Sequence, residues 1–394
     1  MKVLVLHSDL GILRGGGENF TKNLFAAFAA RGHYVAAAFA ADRNGHYPIP
    51  LPSSIEPMPI CGWWSNALGQ AMLSSIGRYI PWKSPLRSKW DRLQQAMQWR
   101  AFRWHRRRYQ RRIEDELASR WNDFDAVYVH GNTLLASKVA GYRPTVLRLP
   151  GPVTAELAPE LRTVHAVCAN GDALVRIRAF LGDHATELPI GIDSELFKPG
   201  PSSVRSTLNW TERHRVVGYV GRLTHLKGVD LLTAAFRKIL HTNPDIRLLI
   251  VGSGEEKRSI QSDLSEELAA GIAHMEPDIN HDRLGDWYRA MDVLVMPSRY
   301  ENFSNALLEG MGCGIPFLAA DVGGNRIFAK TGAGWLFEPE SVSSLATYLS
   351  KLLKNRSDLK ARGKVGVDYV QNHHSWAATA ERLEQIFASH LGGH

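Results

Sequence analysis

Two glutamates, Glu301 and Glu309, stand eight residues apart in the stretch of the chain that most suggests chemistry. They follow Val293 to Met296, an apolar run typical of a buried strand. Ser304 lies between them and is a favourable N-cap, so a helix should begin there with amides that can bind an anion. A carboxylate accepts two hydrogen bonds from a diol, which sugars and riboses present. These residue types therefore suit a sugar or a nucleotide, unless both glutamates are ordinary solvated side chains.

Two cations, Arg222 and Lys227, follow an earlier apolar run in the loop formed by residues 221–228. Arg222 has a planar fork of donors and Lys227 is a point charge, so together they could neutralise a diphosphate at the carboxyl end of a strand. Exposed cations are also commonplace in loops, and the loop by itself leaves both interpretations open.

A third candidate feature lies near the amino terminus, where Gly16 and Gly17 precede a predicted helix at residues 18–31. Glycines let the backbone approach a ligand closely at a helix start. His130 ends the predicted strand at residues 126–129, a position at which a histidine either takes part in function or caps the loop.

Several other chemistries lack their motifs. The chain contains no G-x-G-x-x-G dinucleotide fingerprint, no P-loop, no H-E-x-x-H zinc motif and no G-x-S-x-G nucleophile motif. Asp123 and Asp125 form a D-x-D pair, but they precede a strand and should lie on the edge of the sheet opposite to a ligand. Cys61, Cys168 and Cys313 are far apart, which indicates neither a disulfide framework nor a zinc site and fits a reducing compartment.

The elements that must position these residues alternate along the chain. Short apolar runs and amphipathic helical stretches succeed each other, which is typical of parallel sheets built from β-α-β units. A stretch rich in Pro and Gly at residues 188–201 predicts a linker, after which the alternation starts afresh. The 394 residues are therefore predicted to form two doubly wound domains, 1–195 and 196–375, followed by a helix at 376–394. Such sheets bind ligands at the carboxyl ends of their strands, so the cleft between the domains is the expected site.

The composition excludes other classes of protein. Hydrophobic residues make up 44% of the chain and charged residues 22%, which excludes a globally disordered chain. No stretch reaches the roughly 18 apolar residues of a membrane-spanning helix. The apolar run at the amino terminus is too short for a signal peptide. We therefore expect a cytoplasmic protein whose only contact with a membrane is peripheral, on its inner face.

The net charge of +8 is concentrated in one segment, residues 60–121. Residues 78–120 carry thirteen Lys or Arg and four acids, and seven of the eleven tryptophans lie in the segment. A basic, Trp-rich helix suits an anionic membrane surface or acceptor. The arginines predicted for this contact are Arg100, Arg103, Arg106, Arg107, Arg108 and Arg111. Alternatively, the apolar stripe of the helix is core and the arginines are its solvated face. Nucleic acid is not an expected partner, because no binding motif accompanies the charge.

The motifs of the second domain resemble those of the family 4 retaining glycosyltransferases, which have the two-Rossmann (GT-B) fold. The residues that carry the resemblance are Gly221, Arg222, Lys227, Gly228, Glu301, Glu309, Gly312, Gly314, Pro316, Gly323 and Gly324. Weaker matches at residues 16–18, 127–130 and 189–197 extend it over nearly the whole chain. The resemblance implies two Rossmann-like α/β domains facing across a cleft, with the last helix crossing back to the first domain.

The resemblance also implies a role for each candidate residue. Glu309 would hold the ribose of a nucleoside-diphosphate sugar, and Glu301 would contact hydroxyls of the transferred sugar. Arg222 and Lys227 would bind the diphosphate and stabilise the leaving group, and His130 would lie near the transferred sugar and the acceptor. The implied catalytic residues are His130, Glu301, Arg222 and Lys227, and the implied substrate-binding residues are Gly16, Gly17, Arg222, Lys227, Glu301, Phe303, Ser304, Asn305, Ala306 and Glu309.

No metal or cofactor is expected in such a site, because fixed cations and helix dipoles take the place of a metal, and no residue is assigned as a nucleophile. The implied reaction is retaining transfer of a sugar from a nucleoside-diphosphate sugar to an acceptor hydroxyl, in bacterial glycolipid, lipopolysaccharide or polysaccharide assembly. The acceptor would be a glycan or a lipid-linked molecule. A nucleotide-sugar epimerase or a phosphorylase with the same fold is the nearest alternative, although a phosphorylase would usually need a pyridoxal-phosphate lysine, which the sequence does not identify. Met275 to Asp278 replace the Gly-containing loop that the family has beside the base, so UDP, GDP and ADP donors all remain open.

Overall fold

The computed structural model describes residues 1–12, 16–42, 44–61, 109–277 and 279–391. These described residues fall into two compact units. Unit 1 comprises residues up to 168, residues 180–186 and residues from 380 onward, and unit 2 comprises residues 169–179 and 187–379. Most of the predicted basic segment lies outside the described residues, including Arg100, Arg103, Arg106, Arg107 and Arg108.

Unit 1 is built on a sheet of seven described strands. They are β1 (Lys2–Leu6), β2 (Tyr34–Ala41), β3 (Glu56–Cys61), β4 (Ala126–His130), β5 (Thr145–Arg148), β6 (Ala166–Ala169) and β7 (Ala185–Glu187). Their order in the sheet is β3-β2-β1-β4-β5-β6-β7, and the pairs from β3 to β6 are parallel. The central strands β1 and β4 are almost wholly buried runs of Val, Leu, Ala and Tyr, as expected when helices cover both faces of a sheet.

Unit 2 repeats this architecture with six described strands. They are β8 (Arg215–Val220), β9 (Ile246–Val251), β10 (Ala273–Glu276), β11 (Val293–Met296), β12 (Phe317–Ala320) and β13 (Gly334–Phe337). Their order is β10-β9-β8-β11-β12-β13, with parallel pairing throughout. The chain changes direction across the sheet between β8 and β11, which is where such sheets bind ligands. The prediction of two doubly wound sheets is confirmed.

Helices connect the strands in both units. In chain order they are α1 (Gly16–Ala30), α2 (Thr133–Val139), α3 (Ala158–Thr163), α4 (Gly171–Leu181), α5 (Val204–Thr207), α6 (Val229–Leu240), α7 (Lys257–Asp263), α8 (Ser265–Ala269), α9 (Leu284–Arg289), α10 (Asn305–Gly312), α11 (Asn325–Ala329), α12 (Val342–Leu352), α13 (Arg356–His373) and α14 (Trp376–Leu391). Residues 109–116 are also helical. Among the helices described, none combines the length and the apolar character that crossing a bilayer requires.

The prediction missed strands at the edges of the sheets and merged two helices. The missed strand β3 contains Pro57 and Pro59, which an edge strand tolerates because one side of its backbone needs no partner. The sequence pattern of residues 255–270 predicts a single helix, but the structure interrupts it at the buried Leu264, which separates α7 from α8. Met275 and Glu276 were predicted to belong to a loop, and they instead end the edge strand β10.

The stretch predicted as a linker packs within unit 2. The amide of Ile192 donates to the carbonyl of His374 at 2.9 Å, and Phe197 is buried. Gly191 lies against Trp376, where a Cβ would come within 2.6 Å of an indole carbon. Residues 187–195 therefore belong to unit 2, whereas the sequence placed them in the first domain.

The helical residues 109–116 show how one end of the basic segment is packed. Tyr109, Ile113 and Leu117 lie four residues apart and are buried, and the hydroxyl of Tyr109 donates to the carbonyl of Ala38 at 2.6 Å. Arg111 is exposed. At this described end of the segment, the apolar stripe belongs to the core of unit 1 and the arginine lies on the outer face.

The last helix contributes its final turns to unit 1. Phe387 of α14 packs against Phe28 of α1 with ring centroids 6.2 Å apart. The guanidinium of Arg31 donates to Glu384 at 2.7 and 2.9 Å. The residues of α14 from Ala380 onward thus complete the core of the first unit, as the predicted crossing helix requires.

Gly228 packs so closely against the backbone of a neighbouring loop that we expect a side chain at this position to destabilise the protein. Its φ is +66°, and a Cβ there would lie 2.1 Å from the carbonyl oxygen of Pro297. Gly271 has a nearly identical φ of +68° with open space around it. Gly228→Ala should therefore lower the free energy of unfolding by about 3 kcal/mol, and Gly271→Ala by about 1 kcal/mol, which is the cost of φ alone. Urea denaturation measures both, and equal losses in the two variants would contradict the close approach.

Candidate functional site

The loop after β8 brings the predicted cations to the carboxyl edge of the second sheet. It runs through residues 221–228 and contains a short 3₁₀ turn, His225–Lys227. The hydroxyl of the buried Tyr219 donates to the carbonyl of Arg222 at 2.8 Å and fixes the start of the loop. The Arg222 side chain is exposed, and among the described residues its guanidinium makes no hydrogen bond or ion pair. Arg222 is therefore available to an anionic ligand.

Lys227 and Glu301 form an ion pair. The Lys227 Nζ donates to Glu301 Oε2 at 2.6 Å, and the hydroxyl of the fully buried Ser298 donates to the same oxygen at 3.2 Å. The side chains of Lys227 and Glu301 are 20% and 9% exposed. The sequence predicted both residues for the site but not that they touch, and their pairing joins the loops that follow the neighbouring strands β8 and β11.

A second ion pair braces the same two loops. Arg299 donates through both terminal nitrogens to the two carboxylate oxygens of Asp230, at 2.9 and 2.8 Å. One of these nitrogens also donates to the carbonyl of His225 at 2.6 Å. The hydrogen bond to Asp230 raises the pKa of the Arg299 guanidinium. The loop that carries Glu301 is thus tied to the first turn of α6 as well as to Lys227.

The paired glycines 323 and 324 support the backbone around Glu301. The amide of Gly324 donates to the carbonyl of Glu301 at 2.8 Å, and a Cβ on Gly324 would lie 1.9 Å from the carbonyl oxygen of Asn302. The side chain of Asn302 accepts a hydrogen bond from the amide of Ala173 at 2.7 Å. Glycine is therefore required where the turn after β12 meets the Glu301 loop.

The predicted helix start is present, with α10 beginning one residue after its N-cap. The hydroxyl of Ser304 accepts a hydrogen bond from the amide of Leu307 at 3.3 Å. Asn305 and Ala306 occupy the first turn, where amides have no partner within the helix. Phe303 is half-buried and packs against Phe328, with ring centroids 4.7 Å apart. The positive end of α10 thus lies directly after Glu301 in the chain.

Glu309 is held on both of its oxygens. The hydroxyl of the buried Tyr288 donates to Oε2 at 2.8 Å, and His281 Nε2 lies 3.2 Å from Oε1. The Glu309 side chain is 12% exposed. The hydrogen bond to Glu309 raises the pKa of His281. Sequence reasoning missed both partners, because they come from residues 281–289, whose only signal was a helical pattern.

Unit 1 brings His130 and the glycines of α1 together. His130 ends β4 and is buried, and its ring stacks on that of His7 with centroids 4.2 Å apart. A Cβ on Gly17 would lie 2.9 Å from His130 Nε2, so only glycine permits this approach. Gly16 is exposed at the first position of α1. The two weak signals of the first domain therefore belong to one local arrangement.

A group of possible metal ligands lies beside this histidine. One ligand atom from each of His7, Asp9 and Glu18 lies within 4.8 Å of the others. His7 and Asp9 are buried, and His7 Nε2 is 3.6 Å from Glu18 Oε1, a spacing that an ion pair also explains. Glu18 belongs to the weak match at residues 16–18, but no sequence signal indicated His7 or Asp9, which follow β1 without a motif.

The remaining sequence candidates lie elsewhere. Asp123 and Asp125 precede β4, and Asp125 accepts a hydrogen bond from the amide of Lys2 at the amino edge of the sheet, as predicted. Cys168 and Cys313 are buried and free, and burial raises the pKa of each thiol to about 12. Neither thiol is suited to act as a nucleophile.

Part of the sequence is shared with known proteins. Residues 203–366, which lie within unit 2, match the family described as Glycosyl transferases group 1. The chain is similar to a D-inositol 3-phosphate glycosyltransferase of Thermobispora bispora, with 31% identity over 220 residues, 53% of this chain and 51% of that protein. The chain thus spans about half the length of this curated relative.

The fold is also found in solved structures. The sucrose-phosphate synthase of Thermosynechococcus elongatus superposes with a TM-score of 0.76 and 20% identity, covering 100% of both chains. HepE of Anabaena, whose structure is a complex with UDP-glucose, superposes with a TM-score of 0.69 and 18% identity, covering 99% of this chain and 100% of that one. At these identities the likeness concerns the fold, and the predicted GT-B type is confirmed.

The contact between His281 and Glu309 predicts a pH-dependent contribution to stability. The raised pKa of His281 means that the charged pair stabilises the native state fully below the unfolded value of about 6.5. The contribution is lost as the pH rises through the folded pKa. Because the His281 side chain is 46% exposed, we expect His281→Gln to cost only about 0.5 kcal/mol at pH 5.5 and nothing at pH 8.5.

Urea denaturation at the two pH values measures this difference. In a Glu309→Gln background, His281→Gln should have the same effect at both pH values, because the charge partner is gone. If the effect of His281→Gln still differs between the two pH values in that background, another titratable group causes the pH dependence.

Proposed function

We propose that the chain, whose residues 203–366 match the family described as Glycosyl transferases group 1, is a retaining glycosyltransferase. It moves a sugar from a nucleoside-diphosphate sugar to an acceptor hydroxyl. The observation that carries the proposal is the position of Lys227 and Glu301, paired at 2.6 Å at the switch point of the second sheet. A cation for a diphosphate and a carboxylate for a sugar hydroxyl are thus fixed beside each other before any ligand arrives.

The donor would lie along the carboxyl edge of unit 2. Lys227, Arg222 and the first amides of α10 would neutralise the diphosphate and the charge that develops on it as the sugar leaves. Glu309, already held in place by Tyr288, would accept hydrogen bonds from the ribose hydroxyls. Fixed positive groups of this kind do the work that a metal ion does in other transferases, so no metal is required. The solved complex of HepE with UDP-glucose gives a related fold that accepts such a donor.

The acceptor side would be formed by unit 1. Arg148 lies opposite His130 in the pairing of β4 with β5, is 3% exposed and has its guanidinium 4.4 Å from the ring of Phe20. Burial lowers the pKa of Arg148. Arg148 also donates to the carbonyl of Leu149 at 3.3 Å, so it serves the interior of unit 1. The Thermobispora bispora relative is named for D-inositol 3-phosphate, and we propose a phosphorylated acceptor for this chain as well.

The assignment to glycolipid, lipopolysaccharide or polysaccharide assembly belongs to the same proposal. The basic segment would bring the enzyme to the inner face of an anionic membrane or to an anionic, lipid-linked acceptor. Of the arginines named for this contact, only Arg111 lies among the described residues, and it is exposed. Vesicle flotation at low and high salt tests this part of the proposal.

The nearest alternative is a nucleotide-sugar epimerase of the same fold. It would use the same donor site and would return a nucleotide-bound or free epimer without an acceptor. The two activities are distinguished by whether the sugar appears on an acceptor.

The reaction is tested by incubating the protein with UDP-glucose, GDP-mannose or ADP-glucose and following the sugar by proton NMR. Water, inositol and D-inositol 3-phosphate would serve as the acceptors in this test. We expect one α-linked donor to give an α-configured product, at the same rate in EDTA as with Mg²⁺. Glu309→Gln should raise KM for that donor by about tenfold or more, through loss of a charged hydrogen-bond acceptor. Asp321→Asn, at a half-buried carboxylate that pairs with Arg326 after β12, is the matched control and should leave KM unchanged.

A β-configured product would contradict retention, and a rearranged sugar without transfer would favour the epimerase. If none of the three donors is consumed, the transferase proposal fails.

A further inference from the structure

A cavity at the amino edge of the first sheet is not used by the proposed reaction. Its volume is about 550 Å³, which lies within the range of ligand pockets in proteins. The residues that line it precede β4, β5 and β6 or end α14, and they include Asn122, Asp125, Tyr142, Arg143, His165 and Leu391. His130 ends β4 at the other edge of the sheet, and the five residues of that strand span roughly 16 Å. The cavity is therefore separate from the arrangement around His130.

Tyr142 brings an open aromatic ring to the wall of this cavity. Its ring stacks on that of the buried Trp121, with centroids 5.4 Å apart and an angle of 4° between the planes. Tyr142 is nevertheless 58% exposed, so the face that Trp121 does not cover is open. An aromatic ring that is held flat with one face open is suited to pack against the apolar face of a ligand.

Arg143 holds this pair of rings through their backbone. Its Nε donates to the carbonyl of Trp121 at 2.9 Å, and Nη1 donates to the carbonyl of Tyr142 at 3.3 Å. Nη2 donates to the side-chain oxygen of Asn122. Each nitrogen of the guanidinium thus has an acceptor, and the two stacked residues are tied together. A ring that is fixed before a ligand arrives loses little conformational freedom on binding.

Polar groups of both kinds lie beside the ring. A guanidinium can only donate, so the Asn122 atom that faces Arg143 is the oxygen, and the amide nitrogen of Asn122 keeps its hydrogens for another partner. Asp125 Oδ2 accepts a hydrogen bond from the amide of Lys2 at 2.7 Å, and within the described part of the chain Oδ1 has no partner. The wall therefore combines an aromatic face, an amide donor and a carboxylate acceptor.

The cavity continues along the same edge of the sheet. A second cavity of about 310 Å³ shares His165 with the first and is lined by residues at the starts of β6 and β7, together with Arg382 of α14. Three strand spacings of about 4.8 Å separate β4 from β7, so the two cavities together extend over roughly 14 Å. This extent suits a chain of linked rings better than a single small molecule.

We propose that this edge of unit 1 binds a glycan chain, with a pyranose ring stacked on Tyr142 and its hydroxyls hydrogen-bonded to Asn122 and Asp125. A pyranose has an apolar face of C–H groups, and each of its hydroxyls both donates and accepts, so it complements all three parts of the wall. A purely apolar ligand would instead leave the amide and the carboxylate unpaired. The class of ligand follows from the cavity wall and does not depend on the proposed transfer reaction.

Saturation-transfer NMR of the full chain, followed by titration, tests the site with maltohexaose, chitohexaose and mannohexaose as probes. We expect at least one probe to bind, and Tyr142→Ala to weaken its binding by about fivefold or more through loss of the stacked ring. Tyr142→Phe keeps the ring and should bind within about twofold of the wild type. Tyr34→Ala is the matched control, because it removes an exposed tyrosine of β2, on the other side of β1, and it should leave binding unchanged.

Two results would overturn the proposal. One is the absence of saturable binding of all three probes, and the other is equal affinity in the wild type and Tyr142→Ala, which would place the glycan elsewhere. Sugar transfer to inositol or D-inositol 3-phosphate should be the same in Tyr142→Ala as in the wild type, because the cavity lies away from the candidate site. If a probe binds through Tyr142 but no donor is consumed, the glycan site stands and the proposed function fails.

Discussion

The ion pair between Lys227 and Glu301 is the interaction on which the candidate site depends. Each partner is largely out of water, so removing one would leave the other as an uncompensated charge. The pair joins the loops that follow β8 and β11, adjacent strands between which the chain reverses its course across the sheet. The hydroxyl of Ser298 takes part in the same contact. The edge at which we propose that the donor binds is thus fixed at the point where the topology of the sheet opens a crevice.

Close packing of backbone allows this pair to form. Gly228 meets the carbonyl of Pro297, and Gly323 and Gly324 meet the carbonyls of Glu301 and Asn302, at distances that leave no room for a Cβ. In this chain, close packing against backbone carbonyls therefore explains why glycine is needed at these three motif positions. They bring three loops together so that a lysine, a carboxylate and a helix start lie at one edge, a prerequisite for electrostatic preorganisation.

Much of the fold could be predicted from the sequence because buried strands and amphipathic helices have characteristic local patterns of apolar residues. Central strands such as β4 and β11 are continuous apolar runs, and α6 has its buried residues at helical spacing. The edge strands β3 and β10 were missed because a strand with one free side tolerates Pro, His and Glu. The pattern that identifies a buried strand is absent from them.

The sequence indicates the residue types of the candidate site but not their contacts. Glu301, Lys227 and Glu309 were chosen as candidates because they belong to motifs with fixed spacing. Tyr288 and His281 could not be found, since their importance arises only when chain segments 21 to 28 residues apart meet in the folded protein. Non-local hydrogen bonds of this kind leave no trace in composition or periodicity.

The central claim is that Lys227 receives the diphosphate of a donor at the edge of unit 2. Isothermal titration calorimetry of the wild type with UDP, GDP and ADP tests it most directly, alongside Lys227→Met and the control Lys330→Met, which changes an exposed lysine at the end of α11. We predict that one nucleoside diphosphate binds with 1:1 stoichiometry. Its affinity should fall by about tenfold or more in Lys227→Met and stay unchanged in Lys330→Met. Absence of binding to all three nucleotides, or equal affinity in wild type and Lys227→Met, would contradict the account.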